Sequence, residues 1–186
     1  MGEKRDEGAE LYARYLGGEK EAFDGIIGLY HDCLIYFIFG IVHNFADAED
    51  VAADTFCELL VRGTRFARKS SLKTYLFSVA RNKSVDLVRR SVRSRDKSSE
   101  DRNDAADIAE IEETVIRDER ARAVKDCLLC INADYAQVLS LYYIEGFSSA
   151  EIGRIMKKNG RQVSNLLYRG KEALKKALAE RGVTES

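Results

Sequence analysis

The chain has 186 residues, room for one ordinary domain or two small ones, and its 45% hydrophobic and 33% charged content describes a globular rather than a disordered protein. Proline is absent, where about nine would be usual at this length; that favours helices over sheets, whose turns and edges use proline. The net charge of −1 conceals segregation: residues 62–97 hold twelve basic against two acidic residues, 100–120 hold nine carboxylates against three arginines, and 154–181 hold nine basic against two acidic. Two cationic blocks separated by an anionic joint predict two modules that touch one polyanion.

The first residues, MGEKRDEGAE, are charged and lack the apolar run of a signal peptide. A first short helix is expected over Glu10–Leu16, interrupted by Gly17-Gly18. A longer one starts near Glu19, with Phe23, Ile26, Ile27, Tyr30, Leu34, Phe37, Ile38, Ile41 and Val42 at three- and four-residue steps, a broad buried face. Within it Cys33–Val42 is strongly apolar but ten residues long, too short for a bilayer, so a core helix rather than membrane insertion is expected.

Phe45–Asp50 reads as the next helix start, with Asp47 as a cap and Glu49 and Asp50 complementing the positive end of the helix dipole. Val51, Thr55, Phe56, Leu59 and Leu60 continue it inward, while Glu49, Asp50, Asp54 and Glu58 form an acidic outer strip. Gly63–Ser71 breaks the pattern as a cationic loop carrying Arg65, Phe66 and Lys69. Such a loop suits an unstacked base, the charge holding phosphate and the ring stacking, although Phe66 equally suits a core anchor.

Leu72–Arg95 is an amphipathic helix with Leu72, Leu76, Val79, Ala80 and Leu87 on one side and Arg81, Asn82, Ser84 and Arg89 on the other. Ordinary soluble surfaces mix both signs; this stretch does not, which points to a polyanion. Ser94–Asp107 has little periodicity and reads as a linker. Helix returns near Ile111, with Val124, Cys127, Leu128 and Ile131 inward, and Ala133–Glu145 forms another amphipathic helix stopped by Gly146. Ser148 and Glu151 fit a capping box for a short helix. Lys157–Gly160 is a turn, and Arg161–Ala179 is a final helix packing through Val163, Leu167 and Leu174. Short helix, turn and longer basic helix make a helix-turn-helix pattern, whose second helix offers Arg161, Gln162, Ser164, Asn165 and Arg169 to a DNA groove.

Cys127 and Cys130 form a CxxC inside a helix rather than at a helix start after a strand, and no second pair lies near, so core packing is expected rather than redox chemistry or zinc. Four cysteines without secretory signs suit free thiols in a reducing cytoplasm. No phosphate loop, nucleophile elbow or catalytic carboxylate pair is visible, so neither enzyme activity nor a cofactor is expected.

Three motifs then fall in order: Asp47-Ala48-Glu49-Asp50-Val51 with Asp54-Thr55-Phe56; Leu72–Phe77, Ala80-Arg81-Asn82 and Asp86–Arg90; and Tyr142–Phe147, Glu151-Ile152-Gly153 and Val163 with Leu167-Tyr168-Arg169. Together they resemble the extracytoplasmic-function (ECF) type of bacterial RNA polymerase sigma factor, over about Phe23–Arg90 and Asn132–Leu178. Departures from that pattern are Ala53 for a common Gln, Leu60 and Tyr75 for frequent Trp, and Lys157-Lys158 for Gly and an apolar residue in the turn.

The resemblance implies an all-α protein of two helical domains, a region-two bundle over 1–95 and a region-four helix-turn-helix domain over 112–186, joined by a flexible linker over 96–111. It implies core RNA polymerase, through its β′ clamp helices and β flap, and promoter DNA as partners; anti-sigma factors are common in the family, but no residue identifies one. Asp47, Glu49, Asp50, Asp54, Phe56 and Glu58 are then the expected polymerase contacts. Arg65, Phe66, Lys69, Lys73, Tyr75, Arg81, Asn82, Arg89 and Arg90 are expected at the minus-ten element, and Lys158, Arg161, Gln162, Ser164, Asn165 and Arg169 at the minus-thirty-five element. The rival readings are a stand-alone helix-turn-helix repressor and a sigma-like adaptor that binds polymerase without starting transcription.

Overall fold

The computed structural model describes residues 6–62, 70–95 and 119–182, and the described residues outside turns are helical. The first four helices are α1 (Glu7–Leu16), α2 (Glu21–Val42), α3 (Phe45–Arg62) and α4 (Leu72–Arg95). α5 (Glu119–Cys130), α6 (Ala133–Leu139), a π-helical segment (Ser140–Ile144), α7 (Ser149–Met156) and α8 (Gly160–Glu180) follow. The basic loop, with Arg65, Phe66 and Lys69, and the linker fall outside the described residues.

α2 is the centre of the first module. Phe23, Ile26, Leu34, Phe37 and Ile38 are among its buried residues, and α1, α3 and α4 pack around it. At 22 residues and mean hydropathy 1.8 it is long and apolar enough to cross a bilayer by composition alone; the apolar run is longer than the ten residues that stand out in the sequence. Ten of its residues are instead buried against neighbouring helices, the arrangement of a core helix. Asp6 links the start of this module to its end: one carboxylate oxygen caps α1 through Ala9 N–H at 3.1 Å, and the other accepts Leu72 N–H of α4 at 2.9 Å.

The cap of α3 is Asn44, whose side-chain oxygen accepts Asp47 N–H at 2.8 Å, rather than Asp47 itself. Phe45 thus belongs to the first turn, and Asp47 sits where a carboxylate meets the dipole. Thr55 and Ser84 are fully buried despite their hydroxyls, because each donates to the carbonyl four residues earlier, Val51 at 2.7 Å and Ala80 at 2.8 Å. Ser84 therefore lies on the packed side of α4, not on its cationic surface.

In the second module α8 packs on α5, α6 and α7. The helix expected over Ala133–Glu145 keeps its direction but widens at Ser140, where Glu145 N–H bonds Ser140 O and Phe147 N–H bonds Leu141 O. That widening turns Tyr142, Tyr143 and Ile144 outward while Leu141 and Phe147 stay buried. The two modules share one core: α4 packs on α7 and α2 on α6, and Phe77 touches Phe37 at 5.1 Å and Phe147 at 5.0 Å between ring centroids.

Candidate polymerase and nucleic-acid interfaces

On α3, Glu49, Asp50 and Asp54 are exposed and Glu58 is half-buried, so the acidic strip is real. Lys83 of α4 braces its lower end at 3.4 Å from both Asp54 and Glu58, which leaves Glu49 and Asp50 as the outermost charges. Phe56 does not belong to this surface. It is 6% exposed and meets Phe23 edge-on at 6.5 Å, so its place is the core.

α4 starts from a local clasp in which Ser71 Oγ accepts Thr74 N–H at 3.1 Å. Arg89 and Arg90 are exposed beyond the packed half of the helix, while Tyr75 and Asn82 are half-buried. Lys73 and Arg81 are not on open surface. The Lys73 ammonium reaches Glu145 Oε2 at 2.8 Å, donates to Glu145 O at 2.9 Å, and lies 5.0 Å from the Phe147 ring centroid. The Arg81 side chain is 13% exposed; Nε donates to Gln137 Oε1 at 2.8 Å and Nη2 lies 3.7 Å from Asp134 Oδ1. Burial pulls its pKa below the usual guanidinium value, and Asp134 opposes that. A helical wheel cannot reveal this covering, because the second module supplies it.

The turn between α7 and α8 is held at both sides. Ser148 and Glu151 form the expected capping box for α7, and Asn159 and Gln162 form a second one for α8. Gln162 is consequently spent in part on its own helix start, its Oε1 accepting Asn159 N–H at 2.8 Å. Lys157 adopts left-handed backbone at φ 55°, and Lys158 N–H returns to Gly153 O at 2.9 Å. A Cβ on Gly153 would stand 2.7 Å from Lys158 O, so glycine is what lets the turn close. Lys158 is half-buried and paired with Asp134 at 3.1 Å. Beyond the turn, Arg161, Ser164, Asn165 and Arg169 are exposed on the N-terminal half of α8, with Tyr168 70% exposed beside them; Ser164 Oγ donates back to Gly160 O at 3.0 Å. The face combines long donors with one ring, the chemistry that reads base edges and grips phosphates.

The comparisons with known proteins agree with this arrangement. Residues 26–94 match the family described as Sigma-70 region 2, and residues 121–174 match Sigma-70, region 4. The "ECF RNA polymerase sigma factor SigW" of Bacillus subtilis is 26% identical over 172 residues, covering 88% of this chain and 92% of that protein. The chain belongs to the ECF family of RNA polymerase sigma factors. The "RNA polymerase sigma-H factor" of Pseudomonas aeruginosa is 29% identical, covering 94% of this chain and 95% of its own length. In three dimensions the sigma factor RpoE of Bartonella quintana, solved with the anti-sigma factor NepR, superposes with a TM-score of 0.67 at 20% identity, over 84% of this chain and 96% of that one, a likeness of fold.

Two features of this sigma factor escape sequence reasoning. The carboxylates facing α4, Asp134, Glu145 and Glu151, lie in three different segments, so no local pattern unites them. The second is a groove of about 620 Å³ between α5, the π-helical segment and α8, lined among others by Leu128, Tyr143, Ile144, Leu174 and Leu178, with Lys171 and Lys175 at its edge. Its signal in the sequence is the apolar pair Tyr143-Ile144 within the amphipathic stretch Ala133–Glu145.

Proposed function

We propose that this sigma factor binds core RNA polymerase and directs it to a promoter, with 1–95 as the region-two module, 96–111 as a linker and 112–186 as the region-four module. Glu49 and Asp50, backed by Asp47, Asp54 and Glu58, meet the basic clamp helices of the β′ subunit. Arg81, Asn82, Arg89 and Arg90, with Lys73 and Tyr75, form the wall along the minus-ten element. The loop with Arg65, Phe66 and Lys69 takes an extruded base, trading unstacking of a few kcal/mol for pocket contacts. Arg161, Asn165 and Arg169 read the minus-thirty-five element, each good bidentate contact contributing about 1–3 kcal/mol, while Gln162, Ser164 and Lys158 support the backbone approach. The groove beside Tyr143 and Ile144 receives the β flap. Cytoplasm, where polymerase works, is the corresponding location.

The observation that carries this reading is one chain presenting an acidic face on α3 and, in the other module, a tightly closed helix-turn-helix with Arg161, Asn165 and Arg169 exposed. A repressor acting alone has no need of the first. Run-off transcription with purified core polymerase, with and without the protein, tests it. Promoter-specific transcripts that require the protein are expected, and tight duplex binding with no transcripts would refute the reading. Charge reversal at Glu49 and Asp50 is expected to weaken core binding while leaving duplex binding in place.

A further inference from the structure

We propose that Cys130, with Arg181 and Cys127, is a thiol-oxidation site: a hydroperoxide converts Cys130 to a sulfenic acid, which Cys127 then closes to a disulfide. The inference concerns the chemistry at the end of α5 and is independent of the promoter reading.

Core packing, expected of both cysteines from the sequence, holds for Cys127 alone. Cys127 is fully buried, whereas Cys130, the last residue of α5, is exposed. Arg181, the residue that closes α8, reaches across to the exposed side of α5. Its Nη2 donates to Cys130 Sγ at 3.6 Å and its Nη1 to Asp126 Oδ2 at 3.0 Å. Asp126 and Cys130 are four residues apart and so neighbours on the helix surface; the carboxylate anchors the guanidinium beside the sulfur. The C-terminal end of a helix disfavours negative charge, and a cation placed there offsets that. The other two cysteines lack this setting. Burial pushes the Cys33 thiol up to about 12, and the exposed Cys57 has an anion, Asp54, three residues back on α3.

The thiolate is the reacting form in thiol oxidation, and a guanidinium against the sulfur favours it. The Cys130 sulfur attacks the terminal peroxide oxygen: an S–O bond forms, the O–O bond breaks, and the departing hydroxide or alkoxide takes a proton from solvent. Sulfur gives up two electrons and the peroxide accepts them. The Cys127 thiol then attacks the same sulfur, forming the S–S bond; the S–O bond breaks, and hydroxide leaves with the Cys127 proton as water. Burial pushes the Cys127 thiol up, with Arg181 opposing, which suits Cys130 to the first step and Cys127 to the second. Residues three apart on a helix have Cα atoms about 5 Å apart, within disulfide reach, but Cβ atoms about 5–6 Å apart, where a bridge needs about 4 Å. Closure therefore unwinds the last turn of α5. The chain allows it, because a bend at Ile131 follows at once and Asn132 separately caps α6. Leu128, between the two cysteines, lines the groove beside α8, so the oxidised pair reshapes that wall.

The experiment treats the full reduced chain with hydrogen peroxide and follows each cysteine by mass spectrometry, with iodoacetamide marking free thiols and dimedone marking sulfenic acid. Cys130 should be consumed about tenfold faster than Cys57, an exposed thiol in the same chain that serves as reference. The product should be a bridge between Cys127 and Cys130 within one chain, reversed by dithiothreitol. C127A removes the second thiol and should leave a dimedone adduct on Cys130. R181A should slow Cys130 to about the rate of Cys57 without changing Cys57, and R181K should restore part of the difference. Protection of Cys127 from iodoacetamide in the reduced R181A chain checks that its second module is folded. The comparison of Cys130 with Cys57 in the wild type stands whatever that variant does. Equal rates at Cys130 and Cys57, a bridge between chains in place of the one within α5, or a folded R181A that reacts as fast as the wild type overturns the site.

Discussion

α4 and α8 are both long amphipathic helices dense in cations, and the structure treats them in opposite ways. On α4 the cations of the packed half are engaged by other elements: Lys73 by Glu145, Arg81 by Gln137 and Asp134, Lys83 by Asp54 and Glu58. On α8, Arg161, Asn165 and Arg169 stay exposed, while the polar groups that are engaged, Gln162 and Ser164, serve the helix's own first turn. Charge density says what a helix is able to bind; its neighbours decide what it holds in the free chain. The sharpest way to break α4's position is Phe77→Ala, because that ring lies in both halves of the shared core, against Phe37 and Phe147, and is fully buried. Urea unfolding should show a loss of about 3–5 kcal/mol. A loss below about 1 kcal/mol would mean that the core is not shared.

α8 depends instead on its turn. Gly153→Val places a Cβ against the Lys158 carbonyl, a backbone atom that cannot yield without opening the turn. A cost of about 1–3 kcal/mol is expected by thermal or denaturant unfolding. Gly40→Ala, inside α2 with no atom within 4 Å of the added carbon, should be neutral or stabilising. Equal effects at the two sites would remove the case for a close-approach glycine.

Binding separates the helices directly. In the free chain, Arg169→Ala should weaken a DNA duplex by about 1–3 kcal/mol if the arginine reads a base, and by less if it touches phosphate alone. Arg81→Ala should leave duplex binding by the free chain nearly unchanged, because that guanidinium is covered, yet reduce transcripts once polymerase is present. Fluorescence anisotropy and run-off transcription measure the two arms. Equal losses in the free chain would place Arg81 on open surface and erase the contrast.

The helices, their order and both capping residues of α7 were legible because they follow from periodicity and from side chains three residues apart. The acidic strip and the exposed half of α8 were legible for the same reason. What was not legible depends on contacts between distant segments: the burial of Arg81 and the engagement of Lys73 come from Asp134, Gln137 and Glu145, residues 53–72 positions away. Phe56 was drawn outward by its place in an acidic motif, although the inward periodicity of Val51, Thr55 and Leu59 already pointed to the core. The π-helical widening at Ser140 has no sequence signature here, and Tyr143 and Ile144 of that segment line the groove. The departure at Lys157 has a readable consequence. A lysine in left-handed backbone, φ 55° and ψ 45°, carries a strain that glycine lacks. Lys157→Gly should therefore raise stability by up to about 1 kcal/mol in thermal unfolding, and a loss would mean that the lysine side chain makes a contact outweighing that strain.

The smallest effect concerns the border between the two helices' territories. Burial opposes ionisation of Glu151, but hydrogen bonds from the Ser148 hydroxyl and N–H and from the Thr74 hydroxyl, with the charge of Arg154, outweigh it and hold the carboxyl below its ordinary value of 4.5. The folded state therefore binds this proton less readily than the unfolded chain. The stabilisation is present in full above the unfolded value and is lost as pH falls through the lower folded one. Comparing thermal unfolding of the wild type with Glu151→Gln at about pH 6 and about pH 4, the wild type's advantage should shrink at the lower pH. The same shift should ease the Thr74 contact, while α8, whose cap is the uncharged pair Asn159 and Gln162, has no matching dependence. An advantage that grew on acidification would reverse the sign and place the carboxyl above its ordinary value.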